Sequence, residues 1–437
     1  MHNIRIRTAF AVGALGLVLA ACGTGGSSAT TTTTVAPGSS SPPATLTTGP
    51  GINTATKTIT VGMISALSGA AALIGKPLTD GMEAYWDYQN AHGGIDGWKV
   101  AFDIKDDQYA PNIHVQMYNA IVGNVAMIAQ SFGSPTTSAI ESAAESANVL
   151  VGTAAQSSAF VNQSINAVIG TPYAVDVANA LYYVTHTLGK AHAKIGIVYQ
   201  NDAYGADGVK GFDAALAADH FDNVGSASYA VTDTVFTSQA LAMKNDGAQY
   251  VVLTAIPTAA AEIIGAAAVI GYHPQWILQG PAWSEYLMTG TGAAGGKATP
   301  IEPAMVGAWV LGFEPAWGDM SVPGMAQFLA VQKAYYPTQV PDGYFMYGYC
   351  LAQMESDVLT KALAAKDLSR AGILKAKENL GSVNFGGLIP NATYTPSNGP
   401  ADRETDIGVV NLTSPGFLKI LAPYFESPTG QSMTFSG

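Results

Sequence analysis

From residue 57 onward, short apolar runs alternate with longer stretches of helical periodicity, and this alternation predicts most of the elements. Apolar runs fall at 59–63, 99–104, 125–128, 149–152, 195–199, 226–231, 250–254, 276–279 and 306–310. Helix-period stretches fill 113–122, 137–147, 175–188, 208–218, 259–270 and 325–335. One more helix follows the first strand. Its Leu78, Met82, Tyr85 and Trp86 share a face, Pro77 stands near its first turn, and His92-Gly93-Gly94 ends it. Strands and helices alternating at this spacing predict an α/β fold with largely parallel sheets and right-handed crossovers. The stretch from residue 57 to 437 is too long for one ordinary core and suits two domains. Breaks in the pattern fall at Gly170-Thr171-Pro172, at 300–303 after a Gly-rich stretch, and at 381–387.

Ahead of the fold, residues 1–21 have the order of an export leader. Arg5 and Arg7 precede a small apolar core that is shorter than a membrane-spanning helix needs. The leader ends in Leu19-Ala20-Ala21-Cys22, which resembles a bacterial lipoprotein box with Cys22 as the acylated residue. Residues 22–56 are Ser, Thr, Gly and Pro with little to bury, and are expected to form a disordered tether. The chain would then be lipid-anchored on the extracytoplasmic face of the membrane, periplasmic or cell-surface, with Cys22 its only anchor.

Charge and cysteine content narrow the classes. With 19 basic and 31 acidic residues and a net charge of −12, the surface argues against nucleic acid and against docking on anionic lipid. Cys22 and Cys350 are the two cysteines. If Cys22 carries lipid, no intramolecular disulfide forms, and Cys350 reads as a buried core thiol.

Candidate chemistry lies in the loops that follow the strands, where open parallel sheets bind ligands. Small and hydroxyl residues follow the third run, Gly133-Ser134-Pro135-Thr136-Thr137, and the fourth, Ala155-Gln156-Ser157. Such loops let a backbone approach a ligand and offer N–H and hydroxyl donors to an anionic oxygen, or they serve as plain helix caps. Asn201-Asp202-Ala203-Tyr204-Gly205 follows the fifth run. The six histidines after residue 90 lie scattered without metal-ligand spacing, and no nucleophile elbow follows a strand. Gly290-Thr-Gly292-Ala-Ala-Gly295 has dinucleotide-site spacing but no strand before it, so it reads as a loop; no cofactor or metal is expected. Asp106-Asp107 reads as a solvated strand end.

Ile64-Ser-Ala-Leu67-Ser68-Gly69, Gly93-Gly94-Ile95, Asp106-Asp107 with Pro111, the loop before Ser134, Asn201-Asp202 with Tyr204-Gly205, and Gln279-Gly280-Pro281 occur in this order. Together they resemble the branched-chain amino-acid-binding family of ABC-transporter solute-binding proteins, over about residues 58–365. The resemblance implies two Rossmann-like lobes joined by a multi-strand hinge. The first lobe would comprise 57–172 plus 303–380, and the second 173–302 plus 381–425. It also implies ligand-carboxylate contacts at Gly133 or Ser134, Ala155 and Ser157, with Gln156 beside them. Tyr204 would close from the second lobe, together with residues after Thr254, such as Ile256, and after Pro281.

Two positions depart from the family. Leu73 or Ile74 stands where an aromatic is usual. Ala282-Trp283 follows Gly280-Pro281 where an acidic residue usually meets the ligand's ammonium. Glu285, on a helix start, is expected to face solvent. Trp283 and Trp309 suggest a more apolar or aromatic ligand than Leu, Ile or Val, or else pack the hinge. The expected protein is a non-enzymatic, monomeric subunit that captures a small carboxylate, amide or amino-acid-like ligand and delivers it to an ABC permease. Branched-chain amino-acid binding proper, a ligand-sensing module and a secreted hydrolase are the alternatives.

Overall fold

Strand Thr58–Ser65 is buried along nearly all of its second half, as a central strand covered on both faces must be. In the computed structural model, which describes residues 45–312, 314–395 and 402–435, it pairs in parallel with Lys99–Asp106 on one edge and Ile128–Phe132 on the other. Val151–Ala154 and Asn166–Ala167 extend the sheet in parallel beyond Ile128–Phe132. A second sheet has seven strands. Its parallel part runs Trp309–Gly312, Gln275–Leu278, Tyr250–Thr254, Lys194–Gln200 and Asp222–Tyr229. Thr405–Val410 and Leu418–Phe425 close one edge as antiparallel strands. The two-lobed α/β architecture expected from the sequence is the one observed.

Lobe boundaries differ from those marked by composition. Trp309–Gly312 hydrogen-bonds within the second sheet, so the chain passes back to the first lobe after Gly312 and not at 303. The prolines at 300 and 303 belong to a turn and a short helix, Glu302–Met305. Gly381–Val383 forms a hairpin with Ala392–Tyr394 that stays with the first lobe. Tyr394 Oη donates to the Val168 carbonyl and Gln353 Nε2 to that of Asn384. The last change of lobe therefore lies between Tyr394 and Thr405.

Order also begins earlier than the tether composition implied. Thr47–Thr48 pairs in parallel with Asp367–Leu368, and Ile52–Asn53 pairs with Thr58 and Ile59. Leu46 and Ile52 pack against the core. Two apolar residues and a few backbone bonds suffice to dock this segment, too few to show as periodicity. The leader, Cys22 and residues up to 44 lie outside the described residues.

Other differences are local. Pro77 sits inside helix Ala72–Ala91. The 137–147 stretch is two helices, Ser134–Ser138 and Glu141–Ser146. The third strand starts at Ile128 and not at 125 because it runs on through buried Gln130 and Ser131. Gln130 Nε2 donates to Ser65 Oγ (2.9 Å) and its Oε1 accepts from Thr79 Oγ1 (3.0 Å), so internal partners let polar residues occupy a central strand. Cys350 is fully buried, as expected.

Helix Gly343–Ala364, which packs on Ala72–Ala91 and the first sheet, buries Glu355 completely, and neither of its carboxyl oxygens has a hydrogen-bond partner. Gly152 on the strand beneath leaves it room: a Cβ there would stand 2.2 Å from Glu355 Oε1. Burial raises this carboxyl well above its ordinary value, so the folded chain keeps the proton to higher pH than the unfolded chain. Stability is then lost as pH rises through the folded-state pKa. Glu355→Gln removes that loss. Urea unfolding should find the variant more stable at pH 8 by about 1–3 kcal/mol, with the gap closing below about pH 4. Equal midpoints at pH 8 would contradict an unpartnered carboxylate.

Candidate functional site

The carboxyl ends of both parallel sheets face one cavity between the lobes. From the first lobe, Ile128–Phe132 leads into Gly133-Ser134 and Val151–Ala154 into Gln156. From the second, Lys194–Gln200 leads to Tyr204, Tyr250–Thr254 to Ile256, Gln275–Leu278 to Gly280-Pro281, Trp283 and Glu285, and Trp309–Gly312 to Glu314 and Trp317. Ile74 and Leu78 form an aliphatic wall, and Asp342, Tyr344, Met346 and Tyr347 line the space from the start of helix Gly343–Ala364. The empty space, including its mouth, is about 1230 Å³.

Two adjacent aspartates hold the first-lobe loops in place. Asp106 accepts from the N–H groups of Leu67, Ser68 and Gln108 and from Ser68 Oγ. Burial alone would raise its carboxyl, but these bonds outweigh that and hold it below the ordinary value. Asp107 is fully buried, contrary to the solvated strand end expected. Its Oδ1 accepts from Tyr109 N–H (2.8 Å), and its Oδ2 lies 2.6 Å from His114 Nδ1. His114 Nε2 reaches Ser131 Oγ at 2.9 Å, and Ser131 Oγ reaches Thr137 Oγ1 at 2.8 Å. This chain ties Tyr109 and the 131–137 loop to one another. Gly133, at φ +89°, completes that loop; a Cβ there would come within 2.5 Å of the Tyr109 ring.

Seven of the residues singled out in the sequence line the cavity: Ile74, Gly133, Ser134, Gln156, Tyr204, Ile256 and Trp283. Four do not. Ala155 belongs to the core, and Ser157 is turned inward with its Oγ accepting from Ala159 N–H (3.3 Å). Ala282 is buried in a 3₁₀ turn, its N–H bonded to the Gln279 carbonyl. Trp309 packs against the rings of Tyr183 and Tyr250, at 5.8 and 6.1 Å, on the far side of the second sheet; strand alternation sends it there. The Gly290–Gly295 stretch is a loop beside a Thr289–Ala298 bridge.

The main correction is Glu285. It does not face solvent: it is 3% exposed and lines the cavity. Two 3₁₀ turns, Gly280–Ala282 and Glu285–Leu287, replace the expected helix, and the Ser284 cap turns Glu285 inward. Its Oε2 has no hydrogen-bond partner, and neither does Ser134 Oγ. Burial, then the neighbouring Asp342 charge, raises the Glu285 carboxyl well above its ordinary value.

Residues 58–414 match the family model described as periplasmic binding protein. The chain belongs to the periplasmic binding protein family. Within it, the branched-chain amino-acid-binding group expected from the motifs is the one found. Leu/Ile/Val-binding protein homolog 7 of Brucella abortus (strain 2308) is 25% identical over 321 residues, spanning 69% of this chain and 77% of that protein. Among solved structures, a fatty acid ABC transporter substrate-binding protein from Thermomonospora curvata superposes with a TM-score of 0.82 at 26% identity, over 90% of this chain and 97% of that one. A branched-chain amino acid ABC transporter protein from Thermus thermophilus with bound valine gives 0.73 at 15% identity, over 86% and 98%, a likeness of fold.

In this periplasmic binding protein the lobes touch directly across the cleft. Tyr344 Oη, from the first lobe, donates to the carbonyls of Gly280 (3.0 Å) and Trp283 (2.6 Å) in the second. Gln200 Nε2 donates to Tyr109 Oη (3.1 Å), Ser158 N–H to Asp207 Oδ2 (2.9 Å) and Thr258 Oγ1 to the Ala70 carbonyl (3.3 Å). Tyr109, Tyr173, Glu314, Trp317, Asp342, Tyr344 and Tyr347 are lining residues that sequence reasoning missed. Tyr344→Phe deletes the one hydroxyl proton shared between these two carbonyls, worth about 1 kcal/mol, and should shift the ligand-free protein toward an open form. Small-angle scattering should then report a larger radius of gyration than for wild type; an unchanged radius would mean that these bonds do not hold the lobes together.

Proposed function

We propose that this chain is the extracytoplasmic, lipid-anchored solute-binding subunit of an ABC importer, which captures a small organic ligand with an apolar or aromatic body by hinge closure and passes it unchanged to a permease. The observation that carries the reading is the single cavity fed by the carboxyl-end loops of both lobes, with hydrogen bonds made directly from lobe to lobe around it. Closure of this kind requires a ligand that binds the closed form better than the open one, and walls supplied from both sides provide that difference. The similar Thermomonospora curvata protein is a fatty acid ABC transporter substrate-binding protein, which supports the importer reading. Aromatic side chains from both lobes favour a ligand with an apolar or aromatic body.

The hydrolase alternative finds an Asp107–His114–Ser131 chain with the order of a catalytic triad, but all three residues are fully buried and Ser131 Oγ is engaged by Thr137. A substrate carbonyl has no route to that hydroxyl, and the chain serves to position the loop. Thermal melting of the full-length protein with valine, leucine, octanoate, benzoate and 2-phenylethylamine tests the assignment. A ligand present at a hundred times its Kd should raise Tm by roughly 3 °C and shrink the radius of gyration. Conversion of the stabilising compound, followed by NMR, would overturn it, as would the absence of stabilisation by every compound.

A further inference from the structure

Charge in the cleft is one-sided. Glu285, Glu314, Asp342 and Asp406 line it, and among the described lining residues there is no Lys, Arg or His. Glu285 is 3% exposed and Asp342 1%, and Glu285 Oε2 and Asp342 Oδ2 each lack a hydrogen-bond partner. Asp342 spends its other oxygen on capping helix Gly343–Ala364, accepting from the N–H groups of Tyr344 and Phe345. A Cβ placed on Gly416 would stand 3.6 Å from Glu285 Oε1 and 3.7 Å from Pro341 Cβ, which sets the Glu285 carboxyl near the Pro341-Asp342 turn. The two carboxyls come from opposite lobes: Glu285 follows strand Gln275–Leu278 of the second sheet, and Asp342 caps a helix packed on the first.

We propose that the ligand is an organic amine with an apolar body and no carboxylate, its ammonium seated between Glu285 and Asp342. The proposal rests on the solute-binding reading above. A buried carboxylate without a counter-charge is costly and must stay protonated or meet a cation. A ligand carboxylate would add a further negative charge to a cleft whose lining offers no cation to balance it. An ammonium instead brings three donors to the two free oxygens, while Trp283 and Trp317 line the same space and suit a cation with an apolar or aromatic body.

The placement also explains closure. Ionised carboxyls on opposite lobes push the lobes apart, and an ammonium between them turns repulsion into attraction. The closed form then binds the amine better than the open form does.

Proton linkage follows from the surroundings. Glu285 is faced by Asp342, Glu314 and the Trp283 indole. Asp342 is faced by Asp80 on helix Ala72–Ala91, which in turn pairs with exposed Lys76, and by the hydroxyls of Tyr286 and Tyr344. Burial raises both carboxyls, and it raises Asp342 to about 7 against the pull of the Phe345 and Tyr344 N–H groups. An amine binds the deprotonated pair, so its affinity should climb with pH and its binding should release protons. A neutral or anionic ligand should show the reverse slope.

Calorimetry on the full-length protein with three matched probes tests this: 2-phenylethylamine, 3-phenylpropanoate and phenylalanine. The amine should bind tightest of the three, gain about tenfold between pH 6 and 8, and release protons when titrated in two buffers of different ionisation enthalpy. Glu285→Gln and Asp342→Asn should each weaken it by about tenfold or more. Asparagine still caps a helix and removes a buried charge, so the second variant should unfold at no lower urea concentration than wild type, and its weakened binding reports on charge and not on misfolding. Tighter binding of 3-phenylpropanoate or phenylalanine, an unchanged affinity in Asp342→Asn, or no binding of the amine would each overturn the proposal. If octanoate, benzoate, leucine or either matched acid binds in its place, the solute-binding reading stands while the amine proposal falls; if no compound in either panel binds, both fall.

Discussion

A carboxyl group taken out of water has to be given a partner, and in this protein the partner each one receives decides its role. Asp106 receives backbone N–H groups and the Ser68 hydroxyl and so fastens the first loop. Asp107 receives His114 and the Tyr109 N–H and so fixes the turn and the loop that face it. Asp207, raised by burial, receives the Ser158 N–H across the cleft and the Ala174 N–H at the crossing between lobes, with Lys210 alongside. Glu285 and Asp342 each keep an oxygen with no hydrogen-bond partner, and both residues line the cavity. The same desolvation cost thus yields fixed loops where the chain supplies donors and a binding end where it does not.

How much of this was legible in the sequence depended on whether a residue's environment was written into its own segment. Tyr250–Thr254 and Met325–Tyr335 fall where the pattern put them, because one is a short all-apolar strand and the other a one-faced helix. Helix Gly343–Ala364 escaped notice since its first three turns are buried on almost every side; with no polar face there is no amphipathic stripe to read. The Asp342 cap ahead of it was the available signal, and it would have brought Tyr344, Met346 and Tyr347 to the site. Trp309 and Ala282 were misplaced for a different reason. Whether a side chain on a short strand or turn points to the cleft depends on register and turn type, and one residue reverses the answer.

The family relationship and the ligand question part at the same place. The motifs that identify the family sit in loops after strands, and their backbone roles survive here: Gly133 still makes its turn and Asp106 still ties the first loop. Three of the cleft's four carboxyls come from elsewhere. Glu314 follows the strand after which the chain returns to the first lobe, Asp342 caps the helix beyond, and Asp406 is the second residue of the antiparallel strand Thr405–Val410. Those crossings are themselves cross-tied: Thr171 Oγ1 donates to Asp402 Oδ2 (3.0 Å), Thr405 Oγ1 to Asp176 Oδ1 (2.7 Å), and Asn179 Nδ2 to the Arg403 carbonyl (2.9 Å). Glu314 and Asp406 therefore sit beside the segments that run from one lobe to the other. The cleft's charge is thus set largely by residues outside the motif loops, so kinship carried by those loops does not by itself fix the ligand.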